Sequence, residues 1–81
     1  MKALVTVMLK DGVLDPQGRA IGHALGTLGF TGVNDVRAGK LIVLDLAETD
    51  PAKAQTAAEE MARKLLANTV IESFRVVVEA E

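Results

Sequence analysis

Two Asp-Pro pairs, Asp15-Pro16 and Asp50-Pro51, constrain the fold of this chain more than any other feature. An aspartate before a helix can accept a backbone N–H bond at the N-cap, and proline suits the next position because no helical partner is lost there. Each pair is followed by apolar residues at helical spacing. The pairs therefore predict two strand-to-helix connections, which divide the chain into two β-α-β halves.

The first half predicts a strand, a helix and a second strand. Residues Lys2 to Lys10 alternate as in a strand, and a helix is expected from Pro16 to about Leu28. Its core-facing stripe is expected to consist of Ala20, Ile21, Ala24, Leu25 and Leu28. The second strand is expected at Val33 to Ala38, and Ala38-Gly39 fits a tight turn or a bulge.

Three glycines of the first helix fall four residues apart, at Gly18, Gly22 and Gly26. Each internal glycine costs up to about 1 kcal/mol against alanine. Close approach of another backbone to the helix would account for this regular spacing of glycines. Simple tolerance of glycine at these positions would account for it equally, and the sequence leaves both explanations open.

The second half repeats the pattern. A third strand is expected at Lys40 to Ala47, a second helix from Pro51 to about Ala67, and a last strand at Val70 to Ala80. The second helix is expected to face inward through Ala54, Ala58, Met61, Ala62 and Leu65.

This order, β-α-β-β-α-β, predicts a single α+β domain over residues 1–81. The expected architecture is a ferredoxin-like two-layer sandwich, with a four-stranded antiparallel sheet and two helices on one face. Two helices on one face leave the other face of the sheet uncovered, and that face is partly apolar. Its apolar positions are Leu4, Met8, Leu41, Val43 and Val77. They predict self-association or the binding of another partner, and self-association is the hypothesis adopted for them.

Composition narrows the class of protein. The net charge is −2 and only two residues are aromatic, which argues against a nucleic-acid or anionic-membrane partner. No apolar run approaches the roughly 20 residues of a membrane span, and no signal peptide is evident. The chain has no cysteine, so a cytoplasmic location without disulfides is expected.

No catalytic or metal-binding constellation is evident. Ser73 is expected in a strand far from His23, the only histidine, and no second metal ligand lies at a useful spacing from it. A stand-alone enzyme is therefore disfavoured.

Partner binding is expected instead in the Lys10–Gly18 loop and the Arg37–Lys40 turn. The candidate residues are Lys10, Val13, Leu14, Arg37 and Lys40. The cations have no acidic residue at a local spacing to neutralise them, and such charges orient partners. The alternative is that these charged residues serve only solubility and turn geometry.

Several strings occur in order across essentially the whole chain. They are Leu9-Lys10, Val13–Gly18 (VLDPQG), Val36–Lys40 (VRAGK) and Lys64–Glu72 (KLLANTVIE). In combination they resemble the PurS family, the small subunits of phosphoribosylformylglycinamidine (FGAM) synthase in de novo purine biosynthesis.

The resemblance implies a non-catalytic subunit that forms a dimer or tetramer. It would bridge a large synthetase subunit, PurL, and a glutaminase subunit, PurQ, so that glutamine-derived ammonia is used in the amidination of formylglycinamide ribonucleotide. ATP, Mg and glutamine would be used by the complex, with no cofactor bound by this chain. The alternative from another class is a homodimeric ligand-sensing regulatory domain of the same topology.

Overall fold

The computed structural model describes residues 1–80 and shows an α+β fold with two helices and a three-stranded antiparallel sheet. In chain order the elements are β1 (Lys2–Leu9), α1 (Pro16–Thr27), β2 (Gly39–Asp45), α2 (Pro51–Met61), a π-helical turn (Ala62–Leu66) and β3 (Glu72–Glu79). Both Asp-Pro pairs lie where the sequence predicts, with aspartate at the N-cap and proline in the first turn of each helix.

The sheet has the order β2-β1-β3, so the most apolar strand lies at its centre. Val5 is paired with Ile42 on one side and Val76 on the other, and all three side chains belong to the hydrophobic core. Because side chains alternate along a strand, the intervening residues form the second face of the sheet. The predicted division of residues between the two faces is therefore confirmed for all three strands.

The fourth strand is not confirmed. Residues Val33 to Ala38 form no part of the sheet and run into β2 without the turn predicted at Ala38-Gly39. They lie against α1 instead, where a Cβ on Gly18 would overlap the carbonyl oxygen of Val36 and one on Gly22 would lie 3.4 Å from its side chain. Close backbone approach therefore explains Gly18, whereas a Cβ on Gly22 would make only an ordinary side-chain contact and Gly26 has open space around it.

Helix α2 packs on β3 and β1 through a stripe of small residues, Ala54, Ala58 and Ala62, all fully buried. The π-helical turn then changes the spacing, since the N–H of Ala67 bonds to the carbonyl of Ala62 five residues earlier. Ala67 consequently continues the buried stripe. The inward positions predicted for Met61 and Leu65 are wrong, because these side chains are 40% and 82% exposed.

Helix α1 does not pack on the sheet, so the prediction of two helices on one face is wrong for this helix. Within α1 only Gly18 is buried, and the expected core positions Ile21 and Leu28 are 41% and 72% exposed. We call α1 and the segment that returns along it, residues 16–38, the arm. It projects from the sheet and gives the chain extents of 47 × 29 × 14 Å.

Candidate functional site

The base of the arm is built around the carboxylate of Asp15. Oδ1 accepts the N–H of Gly18 at 2.8 Å, which caps α1, and Oδ2 accepts the N–H of Ala38, also at 2.8 Å. One side chain therefore joins the start of the helix to the end of the returning segment. These two bonds, together with the positive charge of Arg37, lower the pKa of the Asp15 carboxyl from its ordinary value of 3.8, against a smaller opposing effect of desolvation.

Arg37 lies beside Asp15 and holds the loop that precedes the helix. Its Nη1 donates to Oδ1 of Asp11 at 2.7 Å, and its Nη2 donates to the carbonyl oxygen of Leu9. Asp11 lies 26 positions from Arg37 in the sequence and is brought near it only by the fold. Arg37 therefore has a structural role in addition to any role in recognition.

The loop between β1 and α1 exposes the other candidate partner-binding residues. The N–H of Val13 donates to the carbonyl of Lys10 at 3.1 Å, and Gly12 adopts a φ of +85°, so the chain turns tightly here. Val13 is half-buried, whereas Leu14 is 63% exposed. The turn thus presents an aliphatic side chain directly to solvent.

Lys10 and Lys40 are exposed, and within the described residues neither forms an ion pair. Lys40 lines a shallow groove of about 280 Å³ together with Val7, Leu9, Pro16 and Glu72. The structure therefore places the two lysines and Leu14 around the base of the arm, with their charged or apolar ends available to a partner.

The candidate self-association residues lie on one face of the sheet, opposite α2. Leu4 pairs with Val43 on β2 and Val77 on β3, and these two are 53% and 44% exposed. Leu41 is 59% exposed, and Met8 covers Gly39 at the end of the same face. The structure thus brings the five predicted residues together, while their role in self-association stays a prediction.

Sequence reasoning missed a second apolar surface. The predicted core stripe of α1 is largely exposed, and Phe30 and Val33, which follow the helix in the sequence, are 59% and 45% exposed. The series of glycines in α1 was the sequence feature that could have indicated this surface. A helix that packs against another backbone through its glycines contacts its neighbour with the glycine face, so its apolar face is turned elsewhere. Within residues 1–80 no helix has the length and apolar content to cross a membrane, and no group of side chains could hold a metal ion.

Comparison with known proteins identifies the family. A model of the family described as "PurS: Phosphoribosylformylglycinamidine (FGAM) synthase" matches residues 2–80. This chain belongs to the PurS family. The PurS subunit of Bacillus subtilis phosphoribosylformylglycinamidine synthase is 47% identical over 78 residues, which cover 96% of this chain and 92% of that protein.

Solved structures of PurS proteins share the fold of this chain over nearly its whole length. The crystal structure of PurS from Methanocaldococcus jannaschii, one of the subunits of formylglycinamide ribonucleotide amidotransferase, is 44% identical with a TM-score of 0.90, covering 99% and 96% of the two chains. A chain of PurLQS from Thermotoga maritima is 29% identical with a TM-score of 0.85, covering 94% and 93%. Nothing in these comparisons supports the alternative of a ligand-sensing regulatory domain.

Proposed function

We propose that this chain is the small, non-catalytic subunit of a glutamine-dependent FGAM synthase of purine biosynthesis. The observation that carries the proposal is the family match over residues 2–80, together with the close structural likeness to a chain of PurLQS. In this role the chain bridges a PurL-type synthetase subunit and a PurQ-type glutaminase subunit in the cytoplasm. Ammonia released from glutamine is then used in the amidination of formylglycinamide ribonucleotide.

The division of chemistry follows from this role. ATP, Mg and glutamine are used by the partner subunits, and this chain binds no cofactor of its own. Its contribution is a surface that orients two larger proteins, for which exposed cations and apolar side chains are suitable groups. We place that surface at the base of the arm, with Lys10, Leu14 and Lys40 facing a partner, the half-buried Val13 in the same loop and Arg37 holding that loop in place.

A reconstitution experiment tests the function. Purified PurL and PurQ from the same source are assayed for FGAM formation with glutamine as nitrogen donor, with and without this protein. Glutamine-dependent turnover should require the protein, whereas turnover with ammonium chloride should depend on it much less, because free ammonia needs no bridge. Equal glutamine-dependent rates with and without the protein would contradict the proposal.

The same proposal includes a homo-oligomer. By size scaling a compact chain of this length has a radius of gyration of about 12 Å, whereas this chain has 15.9 Å. Within residues 1–80, the fully buried side chains larger than alanine are Val5 and Val7. A domain with a core this small is marginally stable, and association would add to its stability.

A further inference from the structure

Strand β3 forms one edge of the sheet, and its composition makes that edge prone to pair with other chains. The order β2-β1-β3 leaves one side of β3 without a neighbouring strand in the described chain. The strand is eight residues long, and its middle part, Phe74–Val78 (FRVVV), has four apolar side chains and one charged side chain. Long apolar edge strands offer unpaired N–H and C=O groups, and native proteins block them with charges, prolines, bulges or a covering group.

The hydrogen bonds at the start of β3 show which of its backbone groups face the open side. In an antiparallel sheet these groups point to alternate sides from one residue to the next. The carbonyl of Ile71 accepts the N–H of Lys10, which follows β1, at 2.8 Å, so Ile71 faces β1. The N–H of the next residue, Glu72, bonds to Asn68 on the other side at 2.7 Å. By alternation, the residues of β3 whose N–H and C=O groups face the open edge beyond this point are Phe74, Val76 and Val78.

Gln55 occupies the middle of this edge. Its Nε2 donates to the carbonyl oxygen of Val76 at 3.1 Å, although the two residues are 21 positions apart. Gln55 is half-buried on α2, which packs on β3 through the neighbouring Ala54. A strand added at the edge would bring its own N–H to about 2.9 Å from the same oxygen. The amide of Gln55 therefore stands where the backbone of an added strand would have to lie.

The other ways of blocking an edge do not act on the middle of β3. The strand contains no proline, and its pairing with β1 continues without a bulge from Glu72 to Glu79. These two glutamates lie at its ends. Arg75 is the charged residue between them, and because side chains alternate, it lies on the face of the sheet opposite α2. Among the described residues, Gln55 is thus the side chain bonded to the open edge at its centre.

We infer that Gln55 closes the β3 edge against strand addition by a second copy of this chain. A second copy fits because the edge is complementary to itself. If two β3 edges met antiparallel about a two-fold axis at Val76, Phe74 of each copy would lie opposite Val78 of the other. The amides of both Gln55 side chains lie at the centre of that pairing and prevent it. Gln55 thus keeps self-association of this protein from continuing through β3.

Removal of the amide tests the inference. Gln55→Ala deletes the donor without adding apolar surface, and alanine favours the helix, so circular dichroism should stay native-like. In sedimentation velocity at rising protein concentration, the mass should increase at least about twofold over the unaltered protein, because each β3 pairing joins two assemblies. The matched control is Thr56→Ala, at the next, exposed position of α2, which leaves the bond to Val76 intact and should not change the mass.

A second variant restores a blocking group of different chemistry. In Gln55→Lys the Nζ can donate to the carbonyl of Val76, and the charge is of the kind that native edge strands carry. This variant should sediment as the unaltered protein does. Larger assemblies of Gln55→Lys, or an unchanged mass for Gln55→Ala, would contradict the closing role of Gln55.

Hydrogen exchange shows whether the larger assemblies form through the edge. The amides of Val76 and Val78 face the open side, so they should exchange readily in the unaltered protein and become protected in the Gln55→Ala assemblies. The amides of Arg75 and Val77 face β1 and should be protected in both. Assemblies that leave Val76 and Val78 unprotected, or in which Arg75 and Val77 lose protection through unfolding, would overturn the inference.

Discussion

At the scale of single residues, Asp15 links the local sequence signal to the tertiary structure. One oxygen makes the helix cap that the sequence predicts, and the other holds Ala38, which the sequence does not connect to it. Because its pKa is lowered in the folded chain, the ionised form contributes stability above the unfolded value of 3.8. That contribution is lost as the pH falls from about that value through the lower folded pKa.

Asp15→Asn should therefore lower Tm by a few degrees at pH 7. The difference in Tm from the unaltered chain should shrink below about pH 3.8, where the carboxyl of the latter becomes protonated. Thermal unfolding followed by circular dichroism between pH 7 and pH 2.5 measures this. Asp35→Asn is a matched control on an exposed residue of the same arm, and a pH-independent difference at Asp15 would contradict the assigned role of its charge.

Two glycines of α1 give a second prediction at this scale. Gly18→Ala introduces a Cβ that overlaps the carbonyl oxygen of Val36, and overpacking of this kind typically costs about 1–3 kcal/mol. Gly26→Ala meets nothing within 4 Å and should stabilise the helix by up to about 1 kcal/mol. Urea unfolding of the two variants should thus give changes of opposite sign, and equal changes would exclude close packing as the reason for Gly18.

At the scale of elements, the π-helical turn decides which side chains reach the core. Ala58→Leu places a larger side chain in the fully buried stripe and should cost about 1–3 kcal/mol in the free energy of unfolding. Leu65→Gln changes a side chain that is 82% exposed, and its effect should stay within about 0.5 kcal/mol. A regular α-helix through this region would make Leu65→Gln the costly substitution, so urea titration distinguishes the two arrangements.

The helices and strands also show which parts of the fold could be predicted from the sequence alone. Caps, helix starts and the faces of β1, β2 and β3 depend on neighbouring residues and on alternation, and these predictions are confirmed. Residues 33–38 lie against α1 instead of joining the sheet, and the alternation of their side chains does not reveal this. The exposure of Leu65 depends on the π-helical turn, in which the N–H of Ala67 bonds to the carbonyl of Ala62. Helical periodicity in the sequence does not reveal this turn. What could not be predicted was therefore set by contacts distant in sequence or by local irregularity.

At the scale of the whole molecule, the fold divides the candidate binding cations into two kinds. Arg37 is engaged with Asp11 and Leu9, so Arg37→Glu should disturb the base of the arm itself. Lys10 and Lys40 are exposed, without an ion pair in the part of the chain that the structure describes. The sequence could place all three near strand ends, but it could not distinguish a structural arginine from free lysines, since Asp11 is 26 positions from Arg37.

The double change Lys10→Glu with Lys40→Glu tests the recognition of PurL and PurQ without breaking the bonds from Arg37 to Asp11 and Leu9. Since neither lysine supports the core, Tm and the homo-oligomer should stay nearly unchanged. Co-elution with PurL and PurQ at physiological salt should be lost, because reversed charges oppose the partner surface that the lysines are proposed to orient. Lys53→Glu, on the exposed face of α2, is the matched control and should co-elute normally. Full assembly of the double variant would show that the base of the arm does not carry the recognition charges.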